Sequence, residues 1–272
     1  MGRTVVLLNQ KGGVGKTSSC HHLGGTLARD GRRVLLIDAD PQASLTQGFF
    51  GPEVTRSVGR SEGVAALFDA DTAPIPEVLI RPTGIEGLSI VAGSRHLTRY
   101  NMVPPEAWAE SERGMAEFVA EIRDDFEFIL IDAPPNLHLC SWAALTAADW
   151  LVVPIQAEDY GAQGLEPVQE AIASVQAGPN PSIRLAGYLP TMFDKRLGIH
   201  LAYERLLREM YGAEVFASPF PLMKDYKEAV ASRLPISHYK PKSAAAKAAA
   251  VVASELVERT ESIAAADARR VA

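Results

Sequence analysis

The nine residues Asn9-Gln10-Lys11-Gly12-Gly13-Val14-Gly15-Lys16-Thr17 constrain this chain more than any other stretch. Before them stands Thr4-Val5-Val6-Leu7-Leu8, a short apolar run rich in β-branched residues that reads as a buried strand. After them comes Ser18 to Arg29, with Leu23 and Leu27 on one face and Gly31 at its close, the pattern of a helix with a glycine stop. A strand, a glycine loop and a helix in that order make an anion cradle. Successive backbone N–H groups point into the hollow, and the helix adds the positive end of its dipole. Gly12, Gly13 and Gly15 keep Cβ atoms away from phosphate oxygens, and Val14 and Ser18 belong to the same cradle. Lys16 is placed to reach the β- and γ-phosphates and the Thr17 hydroxyl to ligate Mg²⁺. A nucleoside triphosphate is the expected ligand. Gln10 stands where the general phosphate-loop pattern has its first glycine.

Two further apolar runs end in carboxylates. Arg32 to Asp40 reads as a strand whose end carries Asp38 and Asp40, spaced to lie on one side and face the loop. Phe126 to Asp132 is the most apolar strand and ends in Asp132. Strand ends are where α/β sheets place ligands. Strands are also expected at Glu77–Ile80, Leu88–Val91, Trp150–Gln156, Arg184–Asp194 and Glu214–Phe220. Helices are expected at Pro105–Arg123, with Trp108, Met115, Phe118, Val119 and Ile122 as its core face, at Gly164–Gln176 and at Ile199–Tyr211. Gly63–Phe68 reads as a helical turn, and Gly48 to about Ser61 as an exposed connection. The alternation predicts an α/β fold, a doubly wound, mostly parallel sheet flanked by helices, in one domain over 1–272. Within it, 243–272 forms an alanine-rich C-terminal helix or a partly flexible tail.

Composition narrows the function classes. No apolar run is long enough to span a bilayer and no secretory leader is legible, so a cytoplasmic protein is expected. Cys20 and Cys140 form no closely spaced pair and cannot define a zinc site; buried thiols are expected. The net charge of −6 argues against a globally basic nucleic-acid binder. Between Lys195 and Lys247, however, ten Lys and Arg face five Asp and Glu, so an anionic surface would meet that region.

Lys11-Gly12-Gly13-Val14-Gly15-Lys16-Thr17, Asp38-Ala39-Asp40-Pro41-Gln42, Asp132-Ala133-Pro134-Pro135 and Val153-Pro154-Ile155-Gln156, in that order, resemble the deviant phosphate-loop ATPases of the ParA/MinD family, ParA/Soj-like partition ATPases above all. The resemblance implies an ATP hydrolase that forms an ATP-dependent homodimer, with Lys11 reaching the partner's nucleotide and Lys16 its own. Asp40 would position or activate the attacking water, and Asp38 and Asp132 would hold Mg²⁺-bound waters. Met192 and Pro221 would flank the adenine, although Pro221-Leu222-Met223 stands where the family often has Pro-Arg-Asn. Non-specific double-stranded DNA would meet Lys195, Arg196, Lys224, Lys227, Arg233, Lys240 and Lys242, with Asp225 where the family often has arginine. A ParB-like or other adaptor would stimulate hydrolysis and recycle the protein, positioning plasmid, chromosome or protein cargo on the nucleoid. No helix-turn-helix precedes the loop, so operator binding is not expected.

The alternative is a MinD-like membrane-cycling ATPase. It needs a terminal amphipathic helix, whereas Lys247, Arg259, Arg269 and Arg270 are scattered and no stable membrane association is expected. An iron–sulfur reductase would want a second cysteine between the two aspartate strands, and there is none. A bacterial tyrosine kinase would want a tyrosine-rich tail.

Overall fold

The computed structural model describes residues 2–69, 71–102, 113–157 and 165–271, with 262–271 described by backbone alone. Strand β1 (Arg3–Leu7) runs into the glycine loop and helix α1 (Lys16–Arg29), then β2 (Val34–Asp38) and α2 (Ser44–Ser57). A short α3 (Pro76–Leu79) leads to β3 (Ile80–Ile85) and β4 (Leu88–Val91). There follow α4 (Gly114–Ile122), β5 (Phe128–Asp132), α5 (Leu139–Ala147), β6 (Trp150–Gln156), α6 (Glu166–Ala177) and β7 (Arg184–Thr191). Helices α7 (Gly198–Tyr211), α8 (Lys224–Ala231), α9 (Ile236–Tyr239) and α10 (Ala244–Val271) complete the order. The sheet reads β3-β4-β2-β5-β1-β6-β7, parallel except for the β3–β4 hairpin at one edge.

The central strands are apolar on both faces because helices cover both. Val6, Leu35 and Ile37 face a layer containing Phe118, Leu145, Val168 and Leu207 from α4, α5, α6 and α7. Their neighbours Val5, Leu7 and Leu36 face Leu23, Leu45, Tyr226 and Leu256 from α1, α2, α8 and α10. This period-two alternation between two cores makes β2 and β5 buried at every position. Small residues let α10 close on the sheet: Ala245, Ala249 and Ala253 are buried.

Three sequence expectations are corrected. The glycine- and proline-containing stretch after Gly48 is mostly helix: α2 continues to Ser57, and Gly51 and Pro52 mark a kink rather than a loop. Glu77–Leu79 is helical because Pro76 starts a turn, and the strand begins at Ile80. Glu214–Phe220 forms no strand, only the isolated bridges Tyr188↔Val215 and Phe193↔Pro221; Pro219 and Pro221 lack the N–H groups a ladder needs. The expected helices at Pro105–Arg123 and Gly164–Gln176 survive as α4 and α6; Trp108 and Gly164 lie outside the described residues. Both cysteines are buried and unpaired.

The second turn of α1 carries a buried His21, its ring centroid 4.4 Å from that of Phe49 and both ring nitrogens without a hydrogen-bond partner. Burial lowers its pKa from 6.5 to about 4. The native state therefore holds it neutral while the unfolded chain takes up a proton. Its stabilising contribution is complete above about 6.5 and is lost progressively as pH falls from there to about 4, a difference of about 3 kcal/mol. In urea unfolding compared between neutral pH and about pH 4.5, His21→Leu is expected to lose less stability than the wild type. Equal losses would show that this imidazole does not set the acid limb.

Candidate functional site

The register of the sheet assembles the site. Asp132 at the end of β5 lies opposite Asp38 on β2 and opposite Leu7 on β1, so both carboxylates stand side by side where β1 releases the glycine loop. Gly13 and Gly15 have φ of 80° and 86°, left-handed values that let the loop curl back on itself. The Asn9 side chain ties the start of the loop to β6: Nδ2 donates to the Pro154 carbonyl (2.8 Å) and Oδ1 accepts from the Lys11 amide (2.9 Å). On the other side the Thr191 hydroxyl, at the end of β7, donates towards the Val14 carbonyl (2.7 Å) and lies 3.2 Å from that of Ile155.

The two lysines differ. Lys16 is turned inward, its Nζ donating to the Asn9 and Lys11 carbonyls at 2.9 Å each, so it crosses the mouth of its own loop. Burial lowers its pKa, and Asp132 and Asp40 oppose that shift. Lys11 is exposed.

The carboxylates are poised for a cation. Asp38 is fully buried; its Oδ2 accepts from the Thr46 amide (2.8 Å) and the Thr46 hydroxyl (2.6 Å), while Oδ1 has no partner. Burial pushes its pKa up to about 7, with the Thr46 hydrogen bonds opposing. Asp132 is also fully buried, and burial followed by the neighbouring Asp38 drives its pKa well above the usual carboxylate range. The Thr17 hydroxyl stands near enough to favour the charged form of Asp132, but neither Asp132 oxygen has a hydrogen bond of good geometry. Three buried carboxylate oxygens without partners beside a threonine hydroxyl are a hard-oxygen donor set that fits Mg²⁺. Among the described residues no group of three or more His, Cys, Asp or Glu side chains is arranged to hold a metal by itself. Asp40 is half-buried, its Oδ1 accepting from the Gln42 amide at 2.8 Å.

A cavity of about 130 Å³ opens beside the loop, lined by Gly15, Ser18, Met192, Phe220, Pro221 and Lys227 among others. The Phe193↔Pro221 bridge brings Met192 and Pro221 together, and Met192 adopts a φ of 51° that side chains rarely take. The seven basic candidates do not form one free surface. Lys227 reaches the cavity. Arg196 pairs with Asp194 (2.7 Å), Lys224 with Glu228 (3.2 Å), and Lys240 with Asp225 (2.8 Å) and Glu228 (2.6 Å). Arg233 donates to the Gln47 carbonyl, and Lys195 and Lys242 are exposed. Sequence reasoning assigned no role to Asn9, Thr46 or Thr191. Asn9 and Thr191 bond backbone carbonyls and amides, and Thr46 bonds Asp38 eight residues back and the Gly93 amide, so no motif spacing announces them.

Loop, sheet and acidic strand ends together define a P-loop nucleotide-binding fold with a deviant loop. A family model described as an AAA domain matches residues 2–185. The chromosome-partitioning ATPase Soj of Treponema pallidum is 33% identical over 263 residues, covering 95% of this chain and 98% of the relative. Soj of Thermus thermophilus is 34% identical over 260 residues, covering 95% and 97% respectively. A structure of cobyrinic acid a,c-diamide synthase from Mycobacterium smegmatis, with bound ATP analogue and magnesium, matches 96% of both chains with a TM-score of 0.81 at 27% identity. The chain belongs to this AAA-domain family of P-loop ATPases, among the ParA/Soj partition proteins. Among the described residues, no helix is long and apolar enough to cross a membrane.

Proposed function

We propose that this chain is a ParA-type ATPase. It binds ATP with Mg²⁺, dimerises around the nucleotide, holds double-stranded DNA non-specifically and lets go when a ParB-like adaptor stimulates hydrolysis. The disposition of the two lysines carries the reading. Lys16 suffices to meet the β- and γ-phosphates of its own nucleotide once it leaves the Asn9 and Lys11 carbonyls, whereas Lys11, on the exposed stretch Lys11–Gly13, would be accessible to a second copy. Mg²⁺, held by Thr17 and through water by Asp38 and Asp132, would neutralise charge on the β- and γ-oxygens. Lys16 binds phosphate, the loop amides orient it, and Asp40 takes the proton of the attacking water. Met192 and Pro221 wall the base cavity. Exposed Lys195 and Lys242 are the leading phosphate-backbone contacts. Arg196, Lys224 and Lys240 must share their charge with carboxylates, which weakens each as a contact.

Binding to random-sequence duplex is the test, measured with ATP, with ADP and without nucleotide over a series of salt concentrations. Retention with ATP alone, falling steeply with salt, is expected. Dimerisation by ATP without DNA retention would end the partition reading in favour of the membrane-cycling alternative.

A further inference from the structure

Thr46 links three elements at a point no motif marks. It sits in the first turn of α2, fully buried, and both of its donors reach Asp38 Oδ2: the amide at 2.8 Å and the hydroxyl at 2.6 Å. The same hydroxyl accepts from the Gly93 amide at 2.9 Å, just beyond β4. Because the Gly93 N–H can only donate, the Thr46 hydroxyl must spend its one proton on Asp38. Oδ2 therefore carries two donors and is committed to the start of α2, and Oδ1, buried without a partner, is the only oxygen of Asp38 left for a cation or its waters. The packing enforces this arrangement. A Cβ on Gly93 would come within 2.7 Å of the Asp38 carboxyl carbon and 2.6 Å of its backbone oxygen, so the β4 exit must present a bare backbone to bring its amide to Thr46.

We propose that Thr46 is a positioning residue for the metal: it fixes the Asp38 carboxylate so that Oδ1 faces the Mg²⁺ waters beside Asp132 and Thr17. This rests on the ATPase reading. Partners that orient a metal's ligands from behind affect metal affinity by about 10–100-fold when removed.

The test compares Thr46→Ser with Thr46→Ala, which lack the same methyl and differ only in the hydroxyl, alongside the near-isosteric Thr46→Val. The probe is Mn²⁺ in the presence of ADP, followed by loss of the free-ion paramagnetic resonance signal, with urea unfolding of each variant in parallel. Thr46→Ser is expected to hold Mn²⁺ within about threefold of the wild type, and Thr46→Ala and Thr46→Val about tenfold or more weakly. Equal Mn²⁺ affinity in the Ser and Ala variants overturns the proposal and leaves Thr46 as a helix-start hydroxyl that affects stability alone. Should Ala and Val not fold, Thr46→Ser alone still tests the proposal: a tenfold loss of Mn²⁺ affinity there assigns the effect to the methyl and overturns it. Wild type that binds neither ADP nor Mn²⁺ would instead refute the ATPase reading itself.

Discussion

Asp40→Ala is expected to bind ATP about as tightly as the wild type and to hydrolyse it about a hundredfold or more slowly. The reason is the division of labour among three acidic side chains. Asp38 and Asp132 are fully buried and directly opposed across neighbouring strands, and they are the pair proposed to hold the cation through its waters. Asp40 lies two residues beyond Asp38, outside the strand, half-buried and held only at Oδ1 by the Gln42 amide. That places a carboxylate at the edge of the phosphate site, able to meet a water and not needed to hold the nucleotide. Phosphate release and ATP binding measured on the same preparation separate the two roles. Hydrolysis within about threefold of the wild type would move the proton acceptor elsewhere, since removing a general base typically costs about a hundredfold or more. Loss of ATP binding would place Asp40 in the metal site. Lys16→Ala makes the contrasting control, because the cation that bridges the mouth of the loop is removed and binding itself is expected to fail.

What was legible in the sequence followed from local chemistry. The glycine loop, the strand before it and the helix after it are contiguous, and each obeys a rule of spacing. From spacing alone Asp38 and Asp132 were legible only as strand ends, and it was the family resemblance that assigned both to one Mg²⁺, because their adjacency depends on β5 lying between β1 and β2. Thr46 and Thr191 hold the site through contacts that hydrogen-bond backbone or bridge separate elements, and no periodicity encodes those. The basic stretch was legible as a charge count only. Lys240 shows why a count is not a surface: its ammonium is taken by Asp225 and Glu228 on α8. The misread loop after Gly48 has a similar cause. Composition suggested a connection, yet buried Leu45 and Phe49 anchor the helix to the core, and Gly51 needs only one kink.

The misread strand at Glu214–Phe220 leads to the largest expected effect on stability. A segment there that formed a ladder would satisfy its own backbone, but this one has only isolated bridges, and α10 supplies the missing donors and acceptors. The Arg259 guanidinium donates to the carbonyls of Ala186 (3.0 Å), Ala213 (3.0 Å) and Val215 (2.9 Å), pairs with Glu255 (2.8 Å) and lies over the Phe216 ring at 4.4 Å. Glu255 in turn accepts from the Ala217 and Ser218 amides. Removing the cation strands several carbonyls and leaves the Glu255 carboxylate, 14% exposed, without its partner. Arg259→Ala is expected to lower the unfolding free energy by about 3 kcal/mol in urea denaturation. Arg259→Lys is expected to recover only part of that, because an ammonium cannot span the same fork of acceptors. A loss of less than about 0.5 kcal/mol would mean that Arg259 behaves as an exposed surface pair. The consequence reaches the candidate site as well, since the segment that Arg259 pins continues into Phe220 and Pro221, two walls of the cavity beside the glycine loop. Nucleotide affinity is therefore expected to fall in Arg259→Ala even where the protein remains folded, and a purely global destabilisation would leave it unchanged.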